Sequence, residues 1–161
     1  MKPTNLFYFF FVPKKKRSTF AHNNVKMKAC MKEKLELEYE LRSKSAKLIW
    51  TLISTDTGLK KWLADDVCTN GRHTTFTWGN PGHLSETHTA RVLEVVKKDR
   101  IRWYWEYEDD KQTYWEIKMS KDEIAENYHL HITDFATSDE LEDLTDIWNN
   151  NIDRLRLSTG M

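Results

Sequence analysis

Asp134, in the stretch "LHITDFA", shares strand parity with Leu130 and Ile132, so the pattern aims a carboxylate at an apolar interior. Desolvation there would raise its pKa and let it orient a polar head group or act as a base. The alternative is a carboxylate that satisfies backbone donors near the start of the last helix. His129 and His131 form a His-x-His pair on the other face of the same segment. Two imidazoles so spaced can share a metal, but their face is the solvent one and no third ligand stands nearby, so no metal site is expected. His73, His83 and His88 fall in turns and strand ends without ligand spacing. No Gly-x-Ser-x-Gly elbow activates a serine, Cys68 has no visible partner, and no phosphate or dinucleotide loop occurs. No catalytic residue is expected beyond the weak candidate Asp134, and no cofactor.

The aromatic residues are the other chemically suggestive set. The segment "IRWYWEYEDDKQTYWEI" carries three of the seven tryptophans and three of the six tyrosines. Ile101, Trp103, Trp105 and Tyr107 share one face, and Trp115, Ile117 and Met119 share a face on the next strand. Both rows meet only if the hairpin connection has an odd number of residues. A three-residue loop, Asp109-Asp110-Lys111, would set Trp105 opposite Trp115, Trp103 opposite Ile117 and Ile101 opposite Met119. The rings then either fill a core or leave a gap that binds an apolar molecule.

Positioning these groups requires a sheet and a helix. "KLELEYEL" alternates Leu35, Leu37, Tyr39 and Leu41 with Glu36, Glu38 and Glu40, a half-buried strand. A helix follows with Ala46, Ile49, Trp50 and Ile53 in one stripe, capped by Ser43 or Ser45 and broken at Thr55-Asp56-Thr57-Gly58. A second short helix carries Leu59, Trp62 and Leu63. Short β segments come next, around 66–68, 73–78, 87–96, 100–108, 113–120 and 128–135, with turn signals at Asn70-Gly71 and Asn80-Pro81-Gly82. The chain closes on a helix opened by a capping box, Thr137 to Glu140, with Leu141, Leu144, Trp148, Ile152 and Leu155 in one stripe and Gly160 after it. A lone sheet cannot bury a face, so the long helix must cover it. The expected fold class is α+β: a curved antiparallel sheet of about six to seven strands wrapped round a long C-terminal helix, with two short helices after strand 1.

The 161 residues make one ordinary domain, and the net charge of zero hides an asymmetry. Residues 1–30 carry seven basic groups and no acidic one, leaving 18 basic (25 less 7) against all 25 acidic groups in residues 31–161. An acidic body repels phosphate backbones, so no nucleic-acid partner is expected. The apolar run Leu6 to Val12 is too short to span a membrane, and the basic cluster "PKKKR" follows it instead of preceding it as in a secretory signal. Residues 1–30 are expected to be a disordered or mis-assigned extension, with Met1, Met27 or Met31 as the start, and residues 31–161 to be the folded domain. Two cysteines without paired spacing suit a reducing, cytoplasmic setting.

Four stretches, "TDTGLKKWLADDV", "RIRWYWE", "LHITDFA" and "WNNNIDRL", resemble the START-like, or SRPBCC, helix-grip superfamily. That superfamily includes lipid-transfer domains, polyketide cyclases and the activator of the ninety-kilodalton heat-shock ATPase. The resemblance spans about residues 32–158 and is nearest to small bacterial START-like proteins of the activator-like branch. Two departures stand out: Ile147, not glycine, precedes Trp148, and "DDVCTNGRHTTF" holds only Gly71 where a glycine pair is common. The resemblance implies a lipid-like or other apolar molecule held between the sheet and the last helix. Trp78, Trp103, Trp105, Trp115, Ile132, Trp148 and Ile152 would line its cavity. A protein-interaction module related to chaperone activators is the alternative, and a small cyclase- or hydrolase-like enzyme using Asp134 is the third reading.

Overall fold

Alternating side chains on the first strand set the plan. In a computed structural model, which describes residues 31–80 and 82–161, β1 (Glu33–Leu41) is a strand whose Glu side chains face out and whose Leu41 is buried. Two short helices follow, α1 (Ala46–Ser54) and α2 (Asp56–Leu59). Then come β2 (Asp66–Asn70), β3 (His73–Trp78), β4 (Glu86–Val96), β5 (Arg100–Trp105), β6 (Trp115–Lys121), β7 (Tyr128–Ala136) and α3 (Leu141–Thr159). The sheet is antiparallel with order β1-β7-β6-β5-β4-β3-β2. Neighbours in sequence are neighbours in space except at β1, which pairs with β7. The helices α1 and α2 carry the chain from that edge to the opposite one, and α3 lies across the inner face of the curved sheet, resting on β1 and β7. This is the expected helix-grip arrangement. The expectations for residues 1–30 lie outside the described residues.

Caps fix the two short helices. Ser45 accepts from the Leu48 N–H at 3.3 Å and Thr55 from the Gly58 N–H at 3.0 Å, each satisfying a donor that a helix start leaves unpaired. Ser45→Ala is expected to cost about 1 kcal/mol, read as a lower urea midpoint with an unchanged slope. Gly58 is required by contact: a Cβ there would lie 2.2 Å from the Thr51 carbonyl oxygen and 2.6 Å from Leu52 Cα. The second helix is shorter than the sequence pattern implies. It ends at Leu59, and Trp62 and Leu63 are buried in the turns beyond it.

Two local expectations are corrected. The hairpin β5–β6 keeps the odd parity, but it pairs Trp103 with Trp115 and Ile101 with Ile117, two residues off the expected register. The end of β5 belongs to β4 instead: Ala90 pairs with Trp105, and the Glu106 N–H donates to Thr89 O at 3.0 Å. Residues 106–114 then fold on Asp110, whose side chain accepts from the Gln112 N–H and whose carbonyl accepts from Thr113 Oγ1. A slip of two preserves every face, so packing could not oppose it. At α3, Thr137 donates to the Glu140 carboxylate at 2.8 Å and no side chain caps the first turn. The capping box is not formed. Gly160 ends the helix in the left-handed region, φ 75°, as expected.

The core follows from these placements. Leu41, Ile49, Leu52, Ile53, Trp62, Ile117, Leu130 and Ile132 are buried between sheet and helices, and α3 contributes Ile147, Trp148, Ile152 and Leu155.

Candidate functional site

The site is built where β7, the central strands and α3 meet. β7 alternates, so Leu130, Ile132 and Asp134 all point inward, and Asp134 is only 7% exposed. Its Oδ2 accepts from Trp148 Nε1 at 2.9 Å and its Oδ1 from the Phe135 N–H at 2.8 Å. Asp134 thus faces the interior and also satisfies a backbone donor, that of Phe135. Burial pushes its carboxyl up to about 7, against the opposing pull of the Trp148 and Phe135 donors and of Lys32, while Glu108 adds to the rise.

A ladder of rings surrounds it. Trp103 stacks on Trp115 at 4.2 Å, as their cross-strand pairing requires, and Trp105 stacks on Trp115 at 5.3 Å. Trp148 approaches Trp115 at 6.2 Å and Trp62 at 6.4 Å. Phe76 meets Trp105 and Trp115 edge-on. Trp62 and Trp78 anchor their indole N–H groups on the Leu52 and Leu63 carbonyls. The Trp103 and Trp115 N–H groups are buried with no hydrogen-bond partner.

Between these rings lies a cavity of about 10 Å³, lined by Leu63, Phe76, Trp78, Trp105, Trp115, Asp134, Trp148 and Asn151. That is the room of about one water molecule. Trp148 thus nearly fills the space opposite the sheet. Of the residues expected to line a cavity, Trp78, Trp105, Trp115 and Trp148 are brought together there, whereas Trp103, Ile132 and Ile152 are packed in the core outside its wall. Leu63, Phe76 and Asn151 are the wall residues the sequence reading did not name. Phe76 has the parity of Trp78 on β3, and Asn151 interrupts the apolar stripe of α3 three residues after Trp148. Both signals were present in the pattern.

The rim is acidic and aromatic. Tyr107 stacks on Trp105 at 5.7 Å and His88 meets Tyr107 edge-on at 5.0 Å. Although 38% of Tyr107 is exposed, its hydroxyl is pushed up, first by desolvation and then by Glu108, Asp134, Glu86 and Glu140. Lys32, a cation that acts on Asp134, pairs with Glu108.

The outer face of the sheet carries the histidine pair. His129 Nδ1 lies 2.8 Å and His131 Nδ1 4.0 Å from Glu38, and His131 Nε2 is 2.7 Å from Ser120 Oγ. A serine, imidazole and carboxylate in contact invite an acyl-transfer reading, yet the backbone of β6 and β7 around them is engaged in the ladder. Donors for an oxyanion are what such chemistry needs. Among the described residues no group of three or more His, Cys, Asp or Glu is arranged to hold a metal, and no helix is long and apolar enough to cross a membrane.

A family model described as a START-like superfamily domain matches residues 29–161. A Bacteroides fragilis protein solved by NMR is 38% identical over 78% of this chain and 89% of its own, with a TM-score of 0.55. The Aha1 dimer from Colwellia psychrerythraea is 17% identical over 80% of this chain and 98% of its own, with a TM-score of 0.61. An AHSA1-like protein from Aeromonas hydrophila is 10% identical over 80% and 92%, at a TM-score of 0.62. These last two likenesses are of fold alone. No curated protein matches the chain.

Proposed function

The chain belongs to the START-like superfamily, and from that premise we propose that it binds a small amphipathic molecule between the sheet and α3, at the wall formed by Trp78, Trp105, Trp115 and Trp148. One observation carries this reading. Polar groups stand within an aromatic wall: the buried carboxyl of Asp134 and the side chain of Asn151, beside the ring of Trp115, whose N–H is unpartnered. Binding sites are commonly apolar with a few such groups fixing orientation. Trp103, Ile132 and Ile152 form the packing behind that wall. A cavity of about 10 Å³ is far below the few hundred Å³ a ligand needs. Binding therefore requires α3, with Trp148, to part from Trp115. The exposed thiol of Cys68 suits a reducing, cytoplasmic setting.

The small cavity also favours a second reading, a protein-interaction module with a filled core, as the Aha1-like neighbours suggest by analogy of fold. Asp134 as a base in a small enzyme has less support, since its oxygens are already engaged by Trp148 and Phe135.

Tryptophan emission of the full chain, titrated with medium-chain alcohols, fatty acids and sterols, separates the two leading readings. Saturable quenching or a wavelength shift with at least one class is expected. A flat response across the panel, with no small molecule retained in native mass spectra, removes the ligand reading and leaves the interaction module.

A further inference from the structure

We propose that the head group accepted at this wall is an uncharged hydrogen-bond acceptor, a carbonyl or hydroxyl oxygen, and that carboxylate heads are rejected. This rests on the ligand-binding reading above and names the class of molecule that reading would admit.

The first argument is the indole of Trp115. The side chain is 2% exposed, lines the cavity, and its N–H has no acceptor. A buried donor left unpaired is costly, and an oxygen brought by a ligand removes that cost. The cavity that its ring lines holds about one water, and a ligand oxygen entering there as α3 parts can supply the missing acceptor.

The second argument is charge. Asp134 stands in the wall itself. Glu108, Glu86 and Glu140 act on the neighbouring Tyr107 hydroxyl. Lys32, the cation acting on Asp134, is already paired with Glu108. A carboxylate head would place a second negative charge beside Asp134 where water is excluded, and like charges so close in a low dielectric repel strongly. A neutral oxygen meets no such opposition. Asp134 also turns from opponent to donor when protonated: its oxygens accept from Trp148 Nε1 and the Phe135 N–H, and an added proton gives the carboxyl a hydrogen bond to offer. Its carboxyl, pushed up to about 7, holds that proton for a good part of the time near neutrality.

The test is a head-group series on one tail. Decanol, 2-decanone, decanoate and decyltrimethylammonium are titrated into the full chain at pH 8, with affinities from calorimetry and the Trp115 indole N–H followed by NMR. Decanol and decanone are expected to bind about tenfold more tightly than decanoate, the cost of neutralising Asp134 about one pH unit above its value, and to move the Trp115 indole resonance downfield. Asp134→Asn is expected to raise the affinity for decanoate about tenfold, closing its gap to decanol. Decanoate binding the native chain as well as decanol, or the ammonium probe binding best, overturns the proposal. No binding by any of the four overturns the ligand-binding reading and this one with it.

Discussion

Replacing Trp148 by alanine is expected to destabilise the fold by about 4 kcal/mol and to create a cavity that takes up benzene. Trp148 is 2% exposed, lies against Trp115 and Trp62, and gives its N–H to Asp134. Deleting the ring removes those contacts and leaves a hole, because α3 is held at both ends of its apolar stripe and cannot collapse onto the sheet. Leu144 and Leu155 sit on either side, and Tyr39 donates to Asn149 Oδ1 at 2.8 Å to tie the helix to β1. Lost burial and an unfilled cavity add, which puts large aromatic truncations at roughly 3–5 kcal/mol. Engineered apolar cavities on the order of 150 Å³ bind benzene. Urea unfolding measures the first effect and the benzene-dependent shift in melting temperature the second. The variant should gain several degrees from benzene, more than the native chain does. A loss under about 1 kcal/mol with no benzene response would mean that the helix collapses after all. A native chain that responds to benzene as strongly as the variant would show that the wall opens unaided, the motion the proposed function requires.

How far the sequence reaches can be judged residue by residue. Alternation in "KLELEYEL" and the stripe through Trp148, Ile152 and Leu155 define the two surfaces that must meet, because burying an apolar face admits few arrangements. The odd parity of the β5–β6 hairpin is legible for the same reason. Its register is not: a slip of two residues leaves every ring on the same face, and the choice was made by the pairing of Trp105 with Ala90 across β4. The capping box at Thr137 fails because the Thr137 hydroxyl turns to the Glu140 carboxylate instead of a backbone N–H. The inward aim of Asp134 is legible from parity, but its bond to Trp148 joins two elements whose relative height no periodicity specifies. Cavity volume is harder still. Whether rings leave room for a ligand or for one water depends on rotamers and fractions of an ångström, and composition is blind to both.

The stability of the chain is expected to fall by about 3 kcal/mol between pH 5 and pH 8 through Asp134 alone, and Asp134→Asn should abolish that slope. An aspartate in an unfolded chain titrates near 3.9, whereas the folded carboxyl is pushed up to about 7, chiefly by burial. Between those values the folded protein holds a proton that the unfolded chain has lost. Raising the pH through this window therefore favours unfolding, and the penalty is complete only above the folded value. The opposite sign would hold for a carboxylate whose pKa the fold depresses. Asp66, for instance, is lowered first by its hydrogen bond from Lys60 and is exposed. In Asp134→Asn the amide oxygen still accepts from Trp148, as the carbonyl of a protonated carboxyl would, so the variant mimics the acid form at every pH. It should lie about 1 kcal/mol below the native chain near pH 5, having lost the bond from the Phe135 N–H, exceed it by about 2 kcal/mol at pH 8, and show a flatter profile. Urea midpoints at the two pH values, with carbon-13 NMR of the Asp134 carboxyl, decide it. Equal slopes in the two proteins, or a carboxyl titrating near its ordinary value, would show that the site is wetter than its burial indicates. A charge would then be tolerated in the wall, and the expected rejection of carboxylate ligands would lose its electrostatic basis.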